Sequence, residues 1–461
     1  GKLSADCIKE SSTYVKKLVD KCGQYEPCMY DKAAHDLFCE EAAGESIVLL
    51  KNEAVLPLRQ EEKIAVIGPF AKHPCIQGSG SSHVNARIQD NFIQSLQQND
   101  ISFTYAEGYS LKNEEIDDQL QEEAVKAARG KDKVIVFAGE LPQSSGEGVD
   151  KASMELPLNQ NTLIRNLVHA GANVIVVLQT GAPVTMPWRD KVDGILAEYQ
   201  AGAASGTALK KILYGEINPS GHLAESWPRR EKDVPASRYY NSEVLQTQYR
   251  EGIFVGYRFY DTFNIPVAYP FGYGLSYTNY QYSDLKVTQD DACVHVSLKI
   301  KNTGDRDGRA VVQIYAGMKN SQIARPLKEL KSFASVNLKA QEEKEVQADF
   351  DRSLLAYYDV KKKTWLVEKG TYTIMAGTSV NDIILQNEIE VEGTAEPYST
   401  LSKSFIHFDE GMVYVADEEY QKMLGYPIPT IPAPRPFTQD TTIHDLRATG
   451  LGRFINFCVR G

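Results

Sequence analysis

A glutamate set between two glycines, in 144-SSGEGVD-150, is the residue of this sequence most suited to chemistry. Glycine admits backbone angles that other residues avoid and lets a ligand come close. A carboxylic acid in such a loop donates a proton when partial burial or a neighbouring carboxylate raises its pKa. Glu147 is the candidate acid, and Asp150, three positions on, is a candidate neighbour or substrate contact. The bland alternative is a surface loop with Asp150 capping a turn. A second stretch, 78-GSGSSHV-84, offers the hydroxyls of Ser79, Ser81 and Ser82, the His83 ring and several backbone N–H groups to a hydroxylated ligand. Its bland alternative is a strand-to-helix turn that merely needs glycine. Lys72 and His73 precede it, and a lone histidine is more often structural than functional.

The elements that must hold these loops can be read from apolar periodicity. The runs 63-KIAVIGPFA-71, 133-KVIVFAGE-140, 173-NVIVVLQTG-181 and 193-DGILAEY-199 read as strands, and 112–129, 158–170 and 201–215 as helices. Strands apolar on both faces and alternating with helices imply an α/β fold with a mostly parallel sheet. Functional loops then lie beyond the carboxyl ends of the strands. The segments 68-GPFAKHP-74, 139-GELPQSSGEGVD-150 and 180-TGAPV-184 occupy that place. Upstream, Ile8, Val15, Leu18 and Val19, then Ala33, Ala34, Leu37 and Phe38, recur at helical spacing across 3–46. Downstream, the aromatics Phe254, Tyr257, Phe259, Tyr260, Phe271, Tyr273 and Tyr277 read as a packed connector rather than a sugar-stacking platform. After 275 the period becomes two, with Val294, Val296, Leu298 and Ile300 alternating with polar residues. Further strands are expected at 311–317, 344–350, 364–367, 371–376 and 382–391, which spells a β-sandwich. A tail with the Pro-rich stretch 427-PIPTIPAPRPF-437 ends in a short helix near 441–458.

Bulk properties exclude several classes. A net charge of −11 lacks the basic face that nucleic acid requires. No apolar run approaches the ~20 residues of a membrane span. The seven cysteines are odd in number and irregularly spaced, which argues against a disulfide framework or a zinc site and for reduced, cytoplasmic thiols. Pairing of Cys22 with Cys28 is the short-range alternative, and a removed leader with export is the alternative for localisation. Neither GxxxxGK[ST] nor GxGxxG is present, so no nucleotide site is expected. Acidic and histidine residues are not clustered at metal spacing, so neither a metal nor another cofactor is expected.

Six motifs in one order carry a resemblance: 41-EAAGESIVLLKNEAVLPL-58, 63-KIAVIGPFA-71, 78-GSGSSHV-84, 144-SSGEGVDKASMELP-157, 217-INPSGHLAESWP-228, and 251-EGIFVGYRFYD-261 with 269-YPFGYGLSYT-278. Together they resemble glycoside hydrolase family 3, the β-glucosidase and β-xylosidase family, over about residues 40–392. The resemblance implies an α/β sandwich domain at 41–230 carrying the acid/base loop and an aromatic connector at 231–274. A fibronectin type III-like β-sandwich at 275–392 and an extended tail at 393–461 follow. Residues 1–40 would be a helical remnant and linker from the end of a (β/α)8 barrel, which the sequence itself lacks.

By the same resemblance, Glu147 is the general acid/base of a retaining hydrolase of terminal β-linked sugars. The aspartate nucleophile is expected on the barrel, which becomes a required partner, and an exposed docking face would favour self-association. Lys151 stands where relatives often carry arginine. The fragment 283-SDL-285 is the nearest match to a nucleophile context, and Asp284 reads as an ordinary strand residue. The alternatives are a non-catalytic carbohydrate-binding or interaction module, and a permuted enzyme whose barrel once followed the tail.

Overall fold

Six strands form the sheet on which the candidate loops are mounted. They are β1 (Val48–Asn52), β2 (Ile64–Ile67), β3 (Phe103–Ala106), β4 (Lys133–Gly139), β5 (Val174–Gln179) and β6 (Gly194–Ala197), in the spatial order β1-β6-β5-β4-β2-β3. The computed structural model describes residues 3–24, 29–78, 80–141, 146–147, 150–240, 247–429, 437–439, 441–443 and 445–460, leaving aside the side chains of residues 82 and 460. Five of the strands run parallel, and β1 closes one edge antiparallel to β6. Every residue of β2, β5 and β6 is buried. That follows from runs such as IAVI and VIVVL, each aliphatic side chain contributing about 1.5–3 kcal/mol on full burial. β1 and β3 are additions to the sequence-based expectation, and helix formation between 112 and 117 is not seen: α4 begins at Asp118.

Helices α3 (Phe92–Gln98), α4 (Asp118–Ala128), α5 (Leu158–His169) and α6 (Ser205–Leu213) bury apolar residues in the same core as the sheet. Three of the four starts have a side-chain acceptor. Asn91 caps α3 and Asp117 caps α4, each accepting from a backbone N–H inside the first turn. Asp90 reaches across to α6, its two oxygens accepting from Gly206 N–H at 2.9 Å and Thr207 N–H at 2.8 Å. Ahead of the sheet, α1 (Ala5–Cys22) buries no residue, and α2 (Lys32–Ser46) buries only Ala43 and Gly44. Ile8, Val15, Leu18 and Val19 on α1, and Leu37 and Phe38 on α2, are each more than 60 % exposed.

The short pair β7 (Trp227–Pro228) and β8 (Val267–Tyr269) and helix α7 (Tyr257–Thr262) form the connector. Its aromatics pack as expected. Phe254, Phe259 and Tyr260 are buried against the tail residues Phe405, Val413 and Val415, and Tyr257 stacks on Phe271 at 4.5 Å.

The sandwich follows. One sheet pairs β9 (Tyr280–Gln289), β10 (Cys293–Asn302), β13 (Glu343–Gln347) and β14 (Phe350–Asp351). The other has the order β12-β11-β17-β18, built from β11 (Gly308–Gly317), β12 (Glu329–Leu338), β17 (Gly370–Ser379) and β18 (Asp382–Val391). The alternating residues Val294, Val296, Leu298 and Ile300 all point into its core, as their period demands. The expected strand at 364–367 is found as β16 (Thr364–Leu366), but it pairs with β15 (Tyr357–Asp359) in a separate hairpin. Asp284 lies in β9, exposed and ion-paired to Lys299 at 2.8 Å. The tail carries the pair β19 (His407–Asp409) and β20 (Met412–Tyr414), then α8 (Asp417–Leu424) and α9 (Gly450–Arg460). Cys7, Cys22, Cys39, Cys75, Cys293 and Cys458 are free, and Cys28 lies outside the described residues.

Candidate active site

The carboxyl ends of β2, β4, β5 and β6 converge on one cleft. Leaving β2, Gly68 adopts φ +113°, and a Cβ there would meet the Phe137 carbonyl at 2.5 Å, so the chain turns tightly before the loop that follows. Phe70, His73, Cys75, Gln77, His83, Glu140, Leu141, Gly146 and Gln200 are among the residues that line a cavity of about 630 Å³ there.

Glu147 stands at this loop cluster, exposed, and its Oε2 accepts from the Ser81 N–H at 3.2 Å. The two expected loops therefore meet. Gly80 makes the meeting close: it has φ +73°, and a Cβ there would sit 3.0 Å from the Glu147 Cβ and 3.2 Å from Oε2. The Ser81 hydroxyl and N–H together hold the Glu147 carboxyl below its ordinary pKa, because both stabilise the ionised form. This corrects the expectation of a raised value with Asp150 as its cause. Asp150 faces Tyr240 instead, whose hydroxyl is pushed up first by burial and then by the Asp150 charge and hydrogen bond. Of the histidines weighed as contacts, His83 and His73 both line the cavity; the neighbouring Lys72 turns onto the Tyr105 ring, 3.7 Å from its centroid. Ser79 and the Ser82 side chain lie outside what is described.

Beneath the loops runs a polar network that no sequence motif announces. The Cys75 N–H donates to Gln179 Oε1 at 2.9 Å, and Gln179 Nε2 donates to Glu198 Oε2 at 2.9 Å. Glu198 is fully buried, and burial pushes its carboxyl up to about 7, against the opposing hydrogen bond from Gln179. The loop carrying Glu147 is tied down behind it. Lys151 is ion-paired to Glu140 at the end of β4, and the other Glu140 oxygen accepts from the Gly181 N–H at 3.4 Å. Glu225 lies near enough for the Lys151 charge to oppose the rise that burial imposes on its carboxyl. The available signal was positional: Gln179, Glu140 and Glu198 each sit at the carboxyl end of an apolar strand run, where ligands approach such sheets. Among the described residues, no group of three or more histidine, cysteine or acidic side chains gathers at metal-binding distance, and no helix is long and apolar enough to cross a membrane.

Comparison with known proteins places this arrangement. The profile of the glycosyl hydrolase family 3 C-terminal domain matches residues 47–277, and that of the fibronectin type III-like domain matches 310–380. The chain is 41 % identical to the thermostable β-glucosidase B of Acetivibrio thermocellus, the match covering 86 % of this chain and 54 % of the relative. It is 39 % identical to the exo-α-(1→6)-L-arabinopyranosidase of Bifidobacterium breve, over 79 % of this chain and 50 % of the relative. The crystal structure of a Bifidobacterium adolescentis GH3 β-glucosidase superposes with a TM-score of 0.82 at 31 % identity, covering 99 % of this chain and 63 % of that one. A structure of β-glucosidase 3B from Thermotoga neapolitana in complex with α-D-glucose gives 0.72 at 32 % identity, over 79 % of this chain and 55 % of the other. The chain thus spans about half the length of the curated relatives it matches. With a family profile over half its length and two such relatives, the chain belongs to glycosyl hydrolase family 3.

Proposed function

We propose that this chain supplies the general acid/base half of a retaining glycosidase active site that acts on terminal, non-reducing β-linked sugars. The observation that carries the reading is the junction of Glu147 with Ser81 and Gly80 beside the cleft at the carboxyl ends of the sheet. In this reading Glu147 protonates the departing glycosidic oxygen, then takes a proton from the water that releases the sugar. The nucleophile is an aspartate on a (β/α)8 barrel, its carboxyl about 5 Å from that of Glu147 in the assembled site. The Ser81 hydrogen bonds favour the ionised form of Glu147 while solvent covers it. A docked barrel would exclude that solvent and drive the carboxyl towards the protonated form the first step needs.

Partner docking is supported by the apolar rows on α1 and α2, which are exposed in this chain and favour a missing body over a free-standing sugar-binding module. Sugar choice then rests mainly with the barrel, in keeping with relatives named for a β-glucosidase and for an arabinopyranosidase. The same reading divides the chain near residues 40, 230, 274 and 392, and takes the protein to act in the cytoplasm.

The test is turnover of an aryl β-glucoside by this chain alone and with a separately produced barrel, beside Glu147→Gln. No turnover by the chain alone, and turnover restored by the barrel in the wild type only, is the expected result. Turnover by the chain alone that Glu147→Gln abolishes would overturn the division of labour, since the nucleophile would then lie within these residues.

A further inference from the structure

The loop that meets Glu147 is closed by a single side chain. Gln77 Oε1 accepts from the Val84 N–H at 2.9 Å, and Gln77 Nε2 donates to the Val84 carbonyl at 3.1 Å. This pair of bonds decides which end of the amide is nitrogen. The flipped amide would set N–H against N–H and oxygen against oxygen. The same Nε2 lies 3.1 Å from His83 Nδ1. An amide nitrogen only donates, so Nδ1 must be the acceptor, and the neutral ring carries its proton on Nε2. Among the described residues nothing accepts from that Nε2–H, and His83 lines the cleft together with Gln89, Glu140 and Gln200.

We propose that Gln77 is a positioning residue that fixes His83 as its Nε2-protonated tautomer, and that this N–H donates to a hydroxyl oxygen of the leaving group held in the cleft. The ligand class is a sugar or comparable polyol: a neutral ring donor in a cleft lined also by Gln89, Gln200 and the acidic Glu140 suits a hydroxyl, whereas an anion would meet the Glu140 carboxylate. The tautomer follows from this chain's geometry alone. The leaving-group contact rests on the glycosidase reading above.

The first experiment is side-chain 15N–1H correlation NMR on this chain, the His83 signals assigned with His83→Phe. The expected ring has an unprotonated Nδ1 and a protonated Nε2, and Gln77→Met returns it to an exchanging mixture of tautomers. The other seven histidines report whether the variant still folds. A wild-type ring protonated on Nδ1, or one unchanged by Gln77→Met in a folded protein, overturns the positioning role. The second experiment uses the barrel-completed enzyme. His83→Phe should lower kcat/KM about tenfold for a disaccharide, the scale of one neutral hydrogen bond, and less than about twofold for an aryl glucoside with no leaving-group hydroxyl. Equal losses on both substrates overturn the leaving-group contact. If Glu147→Gln leaves turnover intact, the acid/base assignment of Glu147 fails by itself, and the tautomer result stands apart from it.

Discussion

Glu368 and Glu198 are both buried almost completely, and they are housed in opposite ways. Glu368, beside the sandwich, is surrounded by donors. The Ser321 hydroxyl reaches it at 2.7 Å, the Gln322 N–H at 2.6 Å, and Arg325 lies 3.7 Å away as a counter-charge. Glu198, under the cleft, has the neutral Gln179 amide at 2.9 Å and is pushed up to about 7 by burial. The first arrangement closes on itself and locks the tail-side loops to the sandwich. The second leaves a carboxyl whose charge is costly, tied through Gln179 to the root of the loop that meets Glu147. The Glu368 cluster serves structure, whereas the Glu198 chain leads to the site.

The largest effect expected from this contrast is kinetic. Glu147→Gln in the barrel-completed enzyme removes the proton donor and should lower kcat about 10²- to 10⁴-fold for sugars with poor leaving groups. The loss should shrink for activated aryl leaving groups, which need less protonation. Steady-state rates on both substrate types check this, and a uniform loss would point to disrupted binding.

Next comes the closed network. Arg325→Met leaves Glu368 buried without its cation and should cost about 3–5 kcal/mol of stability, read from denaturant unfolding. Adding Glu368→Gln should recover part of that loss, because the orphaned charge goes with it. A single variant as stable as the wild type would show that Ser321 and Gln322 suffice, and the contrast between the two glutamates would lose half its basis.

Glu198 makes the opposite prediction, with a pH signature. Its folded pKa of about 7 lies above the ordinary carboxyl value near 4.5. Between those pH values the folded state holds a proton that the unfolded chain has released, so stability falls as pH rises from about 4.5 to 7 and is flat above. The shift corresponds to about 3 kcal/mol. Glu198→Gln keeps an acceptor for Gln179 but cannot ionise, so it should flatten that slope and be more stable than the wild type at pH 8. Urea unfolding at pH 5 and pH 8 decides it. An unchanged slope would assign the pH dependence elsewhere.

The same contrast explains what could be read in advance. β2, β4 and β5 were legible because strands buried on both faces must be apolar throughout, and the sandwich core because Val294, Val296, Leu298 and Ile300 keep a strict period of two. β1 follows a helix directly, and its apolar run fits either period. β3 is four half-buried residues, and β12 alternates exposed and half-buried positions with lysine and serine among them, so neither carries a strong signal. Glu147 stood out because glycines flank it. Gln179 and Glu198 did not, since Cys75, Gln179 and Glu198 are far apart in sequence and only the parallel register of β2, β4, β5 and β6 brings these strand ends together. Gln77 did not either, because no motif marks its clasp although His83 and Val84 lie only six and seven residues on.

The smallest effect tests whether the loop meeting itself matters. Gly80 has φ +73°, where a side chain costs about 1 kcal/mol, and its missing Cβ leaves room for the Glu147 side chain at 3.0 Å. Gly80→Ala should therefore lower stability by about 1 kcal/mol. It should also displace the carboxylate from the Ser81 N–H, so that the pKa of Glu147, read by carboxyl 13C NMR in this chain, climbs back towards the ordinary glutamate value. A matched substitution at Gly130, which also has positive φ but has open space around it, carries the same backbone penalty without touching Glu147. If both variants leave the Glu147 titration where it was, Ser81 does not depend on Gly80 for its grip. If Gly80→Ala alone moves it, the close approach of the two loops is what holds the carboxyl of the proposed acid/base below its ordinary pKa.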